Sequence, residues 1–281
     1  MNKKGEQNFM KYIDMFFDET GKNKKEISLM GGISLPHTYY MSKRINDLNI
    51  KLRNEKLHFH FTKYTKNDLD KYMELLSTFL FICDAIQINI ITYKLSMLKD
   101  HVSFKSESES MIYERIPERV LYGLLRNYSN LETIYARIYI ENSSQYKKLH
   151  LDKYIKRRIN VHSLYRYDNF KVIDSQLVSK NQEIGVEFTD TMLGIIRLIM
   201  FPPNLIKNNG EVSQNMLSKI VFINAAMNIL EPLLKRVRVF ELTKQDHLTQ
   251  IDFETYISFF KSYFNYFSEK LPEEFNNCDI K

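Results

Sequence analysis

Apolar runs of strand length alternate with helix-length amphipathic stretches through the first two hundred residues, and several of the runs stop at an acid. Residues 11–17 (KYIDMFF) end in Asp18-Glu19-Thr20-Gly21, a turn followed by the lysine-rich loop 22–25. A returning strand over 27–35 completes a hairpin. Residues 42–51 have the spacing of a short amphipathic helix, and 57–61 (LHFHF) alternate as a strand or extended segment. Asn67 or Asp68 caps a helix over 69–83, which runs into a strand over 85–93. A helix over 111–128 carries Pro117 as a kink or break near its start. Strands are predicted over 135–140, ending at Glu141-Asn142, and over 170–178, with a basic helix over 147–164 between them. An apolar helix over 186–200 stops at Pro202-Pro203. A strand hairpin followed by alternating helix and strand predicts an α/β fold, a mixed sheet flanked by helices.

The Asn/Gly loop 204–211 is the one internal boundary that the sequence suggests. Beyond it, 212–239 carry a long apolar stripe containing Pro232, and Phe253, Ile257, Phe260, Phe264 and Phe267 recur at helical spacing. The expectation is a main domain over 9–200 and a C-terminal helical extension over 204–281 packed on it. The aromatic stripe is expected to be core, with a homodimer or protein-partner surface as the alternative.

Composition narrows the partners. Of 281 residues 44% are hydrophobic, enough for a sizeable core, so disorder is excluded as the main state. Lys+Arg 40 against Asp+Glu 34 leaves +6, which permits an anionic partner without requiring one. Cys83 and Cys278 have neither a CxxC nor a zinc-ribbon spacing, which argues against a disulfide framework or structural zinc. Residues 1–8 are polar and show no signal peptide, and Asp84, Gln87 and Asn89 interrupt the most apolar region. A reducing, cytoplasmic setting without a membrane is expected.

Asp18 and Glu141 stand at strand ends and Asp190 near the start of an apolar helix, where ligand sites form in α/β sheets. Singly, these acids read equally well as a turn former, an ion-pair partner and a helix cap. Together they favour a site for divalent ions, since two hard cations about 4 Å apart need several carboxylate oxygens. Asp14 shares the strand face of Asp18, but strand ends rather than strand middles carry sites, so it is left out. His58 and His60, two apart, would share one side of a strand, suited to a metal or a phosphate. Lys63 follows them and is a candidate phosphate contact. Lys147, Lys148, Lys153, Lys156, Arg157 and Arg158 follow Glu141 and are candidates for nucleic-acid binding, although such a run is usually a solvated helix face. Lys235, Arg236 and Arg238 form a weaker cluster. Gly31-Gly32 is read as a bend in the second strand, and no phosphate-binding loop, GxSxG or HExxH is present.

Five segments in order, Phe17-Asp18-Glu19-Thr20-Gly21, Met30-Gly31-Gly32-Ile33, Glu55 to His58, Asp174-Ser175, and Glu187-Phe188-Thr189-Asp190-Thr191-Met192-Leu193-Gly194, resemble the bacterial family called domain of unknown function 3800. The resemblance covers roughly residues 11–200. It implies an RNase H-like fold and a Mg²⁺- or Mn²⁺-dependent nuclease or phosphodiesterase acting on DNA or RNA, in a phage-defence or mobile-element setting. Asp18, Glu141 and Asp190 would be the metal ligands of a two-metal site and Glu19 a catalytic neighbour, with His58 and Glu187 in supporting positions. Thr20 stands where the family usually has Ser, and Glu187-Phe188-Thr189 where it has Gln-Leu-Ala; Glu187 either adds a fourth acid or points away from the cluster. The alternative is a non-catalytic binding or sensor protein on the same scaffold, and a small-molecule hydrolase of the ADP-ribose type is a third reading.

Overall fold

The N-terminal hairpin forms from β1 (Tyr12–Thr20) and β2 (Ile27–Pro36), which pair antiparallel with Asp18 opposite Gly31. In this computed structural model, residues 12–21, 27–94, 107–128, 133–203, 213–243 and 246–268 are described. The lysine-rich loop 22–25, the Asn/Gly loop 204–211 and Cys278 lie outside the described residues. β1 continues past Phe17 to Thr20, so Asp18 and Glu19 are strand residues whose side chains leave opposite faces of the sheet.

β3 (Gln87–Lys94) pairs antiparallel with β2 on one side. On the other side of β1 lie β4 (Ile134–Glu141), parallel to it, and β5 (Phe170–Val178), parallel to β4. Two further strands, β6 (Val237–Leu242) and β7 (Leu248–Ile251), complete a seven-stranded mixed sheet in the order β5-β4-β1-β2-β3-β6-β7. These last two correct the expectation that the chain beyond the prolines is helical: β6 runs parallel to β3 and extends the same sheet. The Val-Arg-Val-Phe-Glu-Leu of β6 alternates with period 2, a pattern hidden behind the apolar stripe of the preceding helices.

Helices cover both faces. α1 (His37–Tyr40), α2 (Lys43–Arg53), α3 (Leu69–Leu80), α7 (Ile184–Met200), α8 (Gln214–Ala225), α9 (Met227–Leu234) and α10 (Phe253–Ser268) pack on one side. α4 (Glu107–Leu125), α5 (Ser144–Lys148) and α6 (Leu151–Arg166) pack on the other. The result is three layers, α/β/α. α7 is buried nearly all round, its Phe188 ring stacked 3.8 Å from Phe79, and each such large side chain contributes about 1.5–3 kcal/mol through burial. The aromatic stripe of α10 delivers Phe253, Ile257 and Phe260 to this core.

Local corrections have local causes. Residues 57–60 are irregular and Phe61–Lys63 form a 3-10 turn, because Phe59 and Phe61 are both drawn into the α7 core instead of alternating across a sheet. The basic helix is two helices, α5 and α6, parted at His150, which takes a left-handed conformation (φ 49). Asp68 turns back to accept from Thr65 N and Oγ1 at 2.8 and 2.9 Å, so it caps the 3-10 turn Lys66–Asp68 and not α3. α4 continues through Pro117. Cys83 is a free thiol. Among the described residues no single helix is long and apolar enough to cross a membrane; α8 and α9 pass together by composition only and meet at 76°.

Candidate active site at the ends of the central strands

β1 and β4 run parallel with Phe17 beside Ile140, so the next pair, Asp18 and Glu141, ends both strands on the α7 face. α7 lies close above them because its contact points lack side chains. A Cβ on Gly31, the partner of Asp18 in β2, would meet Leu193 Cδ2 at 2.5 Å. One on Gly194 would fall within the ring of Phe61. Gly31 therefore makes room for a helix, and β2 pairs without interruption on both sides, so the expected bend is replaced by a packing reason. This close approach brings Asp190 down to the strand ends.

Asp18 is 1% exposed. Its Oδ1 accepts from the Glu19 N–H at 2.7 Å, and its Oδ2 is buried and accepts no hydrogen bond. Burial, the Glu141 carboxyl close enough to share a proton, and the charge of Asp190 raise its pKa well above the usual carboxylate range. Burial and Glu141 raise Asp190 too, against the pull of Lys180, His60 and the Phe61 N–H. Glu187, one turn earlier on α7, is pushed up to about 7 by burial and by these acids. Its Oε1 accepts from Asn181 N at 2.6 Å, which fastens the β5–α7 loop, and its Oε2 is buried without a partner. Glu187 is thus a fourth acid of the group.

That loop supplies a residue the sequence reading missed. Lys180 places its ammonium 3.1 Å from Glu141 Oε1 and 3.8 Å from Asp190 Oδ2, the second too long for a hydrogen bond. Burial works against its charge, but Asp190 and Glu141 outweigh it and hold the ammonium above its ordinary pKa. Nothing in Ser179-Lys180-Asn181 signals this beforehand; Asn181 at φ 60, donating to Glu187 and accepting from Phe59 N, turns the loop inward. His60 completes the cluster: burial first, then Lys180, lowers its pKa, and its buried Nδ1 has no hydrogen-bond partner.

Other candidates stand elsewhere. Glu19 leaves the opposite face and accepts from Tyr146 OH at 2.5 Å. His58 is exposed, while His60 is the histidine near Asp190, Glu141 and Lys180; Lys63, also exposed, contributes to lowering the His60 pKa. α6 packs on the face opposite the acids, which carries Lys153, Lys156, Arg157 and Arg158 away from Glu141 despite their nearness in sequence. Lys156 donates to Ile173 O at 2.6 Å and Arg158 lies 3.6 Å from Glu118. Lys147 and Lys148, on α5 just after β4, are exposed. Lys235 is exposed, Arg236 pairs with Asp84, and Arg238 turns to Asn89. Asp174 falls in register with Arg137, and Ser175 beside it has a buried hydroxyl without a partner. Asp14, left out of the sequence reading, is fully buried and accepts from His37 Nδ1 at 2.5 Å beside Arg137.

The donor set suits a hard divalent cation: oxygen ligands only, with Asp18 Oδ2 and Asp190 Oδ2 buried and lacking hydrogen bonds. Among the described residues no three His, Cys, Asp or Glu side chains already stand in ion-holding geometry, and Lys180 lies between two of the acids. Fold and site together define an α/β protein with a carboxylate cluster at the ends of its central strands. The chain matches no protein-family model and no curated protein.

Proposed function

We propose that the protein is a Mg²⁺- or Mn²⁺-dependent nuclease of RNase H-like type. The observation that carries this reading is the convergence of Asp18, Glu141 and Asp190, each from a different element, with pKa values of Asp18 and Asp190 raised by burial and mutual repulsion. Clustered acids cost stability unless something cationic compensates them, and such clusters belong to functional sites. The sheet supports the fold assignment: an antiparallel β1-β2-β3 meander, then β4 and β5 parallel to β1 on its far side, is the arrangement an RNase H-like core calls for.

Asp18, Glu141 and Asp190 would hold the metal. Bound there, it supplies activation of water and stabilisation of the leaving oxygen of a phosphodiester. Lys180 compensates the acids and offers a cation to a scissile phosphate. His60, its pKa lowered, is neutral near pH 7 and can accept a proton at its unpartnered Nδ1. The exposed Lys63, Lys147 and Lys148 are free to contact a nucleic-acid backbone in this reading.

Lys180 also favours a second reading, a binding or sensor protein in which the ammonium permanently takes the place of a metal. Incubating wild type and Asp18→Asn with single- and double-stranded DNA, RNA and RNA:DNA hybrid in Mg²⁺, Mn²⁺ or EDTA separates the two. Metal-dependent cutting that is lost in Asp18→Asn is expected. No cutting, together with no Mn²⁺ binding by calorimetry, would leave the binding reading standing.

A further inference from the structure

The other face of the sheet holds a cavity of about 660 Å³ between α4, β3, β6 and the end of α6, away from the acid cluster. Five arginines line it, Arg115, Arg119, Arg126, Arg166 and Arg238, from four separate elements, so no run in the sequence announces them. Three carboxylates lie nearby, and one of them, Glu118, lines the cavity itself. Glu118 faces Arg158 and His162 at 3.6 and 3.3 Å and accepts from Tyr154; Asp168 accepts from Tyr122 OH at 2.6 Å. Asp246 pairs with Arg119 at 2.7 Å. The lining itself carries five guanidinium groups against one carboxylate, Glu118, an excess of positive charge that suits a multiply charged anion.

The floor is built rather than incidental. Asn89 is 4% exposed, its Oδ1 accepts from Arg238 Nε at 3.1 Å, and its amide reaches the wall because position 123 is glycine: a Cβ there would meet Asn89 Nδ2 at 2.9 Å. Burial lowers the pKa of Arg238, which marks a guanidinium already partly stripped of water. Ile91, Val120, Phe240 and Leu248 add apolar lining among the arginines, and Arg166 lies over the Tyr122 ring at 5.1 Å. Guanidinium groups take phosphate by paired hydrogen bonds, and the apolar and aromatic lining takes a flat apolar body. The volume fits a single small molecule.

We infer that this cavity binds a nucleotide carrying two or more phosphates. The inference is independent of the nuclease reading, because no residue of the acid cluster lines the cavity.

The test is calorimetry on the full chain in EDTA at physiological salt, with ATP, GTP, CTP, UTP, AMP, tripolyphosphate, inorganic phosphate and a ten-residue single-stranded DNA as probes. At least one nucleoside triphosphate should bind in the micromolar range, its monophosphate and tripolyphosphate each roughly tenfold or more weaker. Arg238→Gln should weaken that binding by at least about tenfold. Because Arg238 is half-buried, the exposed Arg115→Gln/Arg126→Gln double variant provides a second readout, with folding checked by circular dichroism, and Asp18→Asn should bind as wild type does. Binding of no nucleotide below millimolar, tripolyphosphate binding as tightly as every triphosphate, or affinity unchanged in both folded variants would overturn the inference. DNA binding that needs these arginines while nucleotides fail would overturn it too and assign the face to a nucleic-acid strand.

Discussion

Asp14 and Asp18 stand four residues apart on one face of β1, at 0% and 1% exposure, and the fold surrounds them in opposite ways. Around Asp14 it places His37 at 2.5 Å and Arg137 from the neighbouring strand, which offset part of the burial cost and outnumber the one nearby acid, Glu183. Around Asp18 it places Glu141 and Asp190, which add to that cost. Asp14 too has a raised pKa and a buried Oδ1 without a partner, but the basic groups beside it offset part of the burial cost, whereas the carboxylates around Asp18 add to a disadvantage that a cation would remove. The contrast separates an acid tied to β4 and α1 by basic partners from one crowded by other acids.

Exchanging each carboxylate for an amide should split the pair most widely. Asp18→Asn is expected to lose metal-dependent cleavage by several kcal/mol of transition-state stabilisation, roughly a thousandfold, and to unfold at a higher urea concentration than wild type in EDTA. Asp14→Asn should keep cleavage within a few-fold and lose about 2 kcal/mol of stability, the worth of a hydrogen bond to a charged group. A folded Asp14→Asn that is as inactive as Asp18→Asn would erase the distinction.

Glu187 sharpens it through pH. Its pKa is about 7 in the fold against the ordinary 4.5 of a glutamate, so between these the native chain binds more protons than the unfolded one. The acid therefore imposes no penalty below about pH 4.5, and stability falls as pH rises through 7. At pH 8 in EDTA the penalty is about 3 kcal/mol, taking 1.36 kcal/mol per pKa unit. Glu187→Gln, which keeps an acceptor for Asn181 N, should exceed wild type in urea resistance at pH 8 and match it at about pH 4. An equal difference at both pH values would mean that Glu187 acts through packing alone.

Lys180 is the cation on the Asp18 side, and removing it should make the contrast steeper. Lys180→Met is expected to lower stability by about 1.5 kcal/mol in EDTA, a modest figure because the ammonium is partly exposed. Added Mn²⁺ should recover more stability in this variant than in wild type, read as the shift of the thermal midpoint. No difference between the two shifts would remove Lys180 from the electrostatics of the cluster.

How much of this was legible follows the range of each interaction. Asp18 and Glu141 stood out because apolar strand runs stop at an acid, and Asp190 because it is an acid within an otherwise apolar helix. The layers α/β/α followed from the same alternation. Lys180 could not, since its place depends on a left-handed Asn181 and on how α7 meets β5. The Asp14–His37–Arg137 group joins three segments, and only the β1–β4 register sets Asp14 beside Arg137. The basic stretch after Glu141 shows the converse: adjacency in sequence to the acids ended where α6 crossed to the other face. β6 was missed although its alternation is plain, because six residues behind two apolar helices read as their continuation.

Glu19 gives the smallest and cleanest check on the sidedness of β1. As the next residue after Asp18 it would be a natural partner in a turn, yet in a strand it must face the other layer, where Tyr146 OH donates to it at 2.5 Å. Tyr146 is fully buried there and its pKa is raised well above the usual value by burial, then by Glu19. Tyr146→Phe removes one hydrogen bond with little change of volume, so it should cost about 1 kcal/mol of stability and leave cleavage and Mn²⁺ affinity as they are. A loss of metal affinity in a folded Tyr146→Phe would place Glu19 among the ligands and return the acidic end of β1 to the turn-like arrangement that its sequence first suggests.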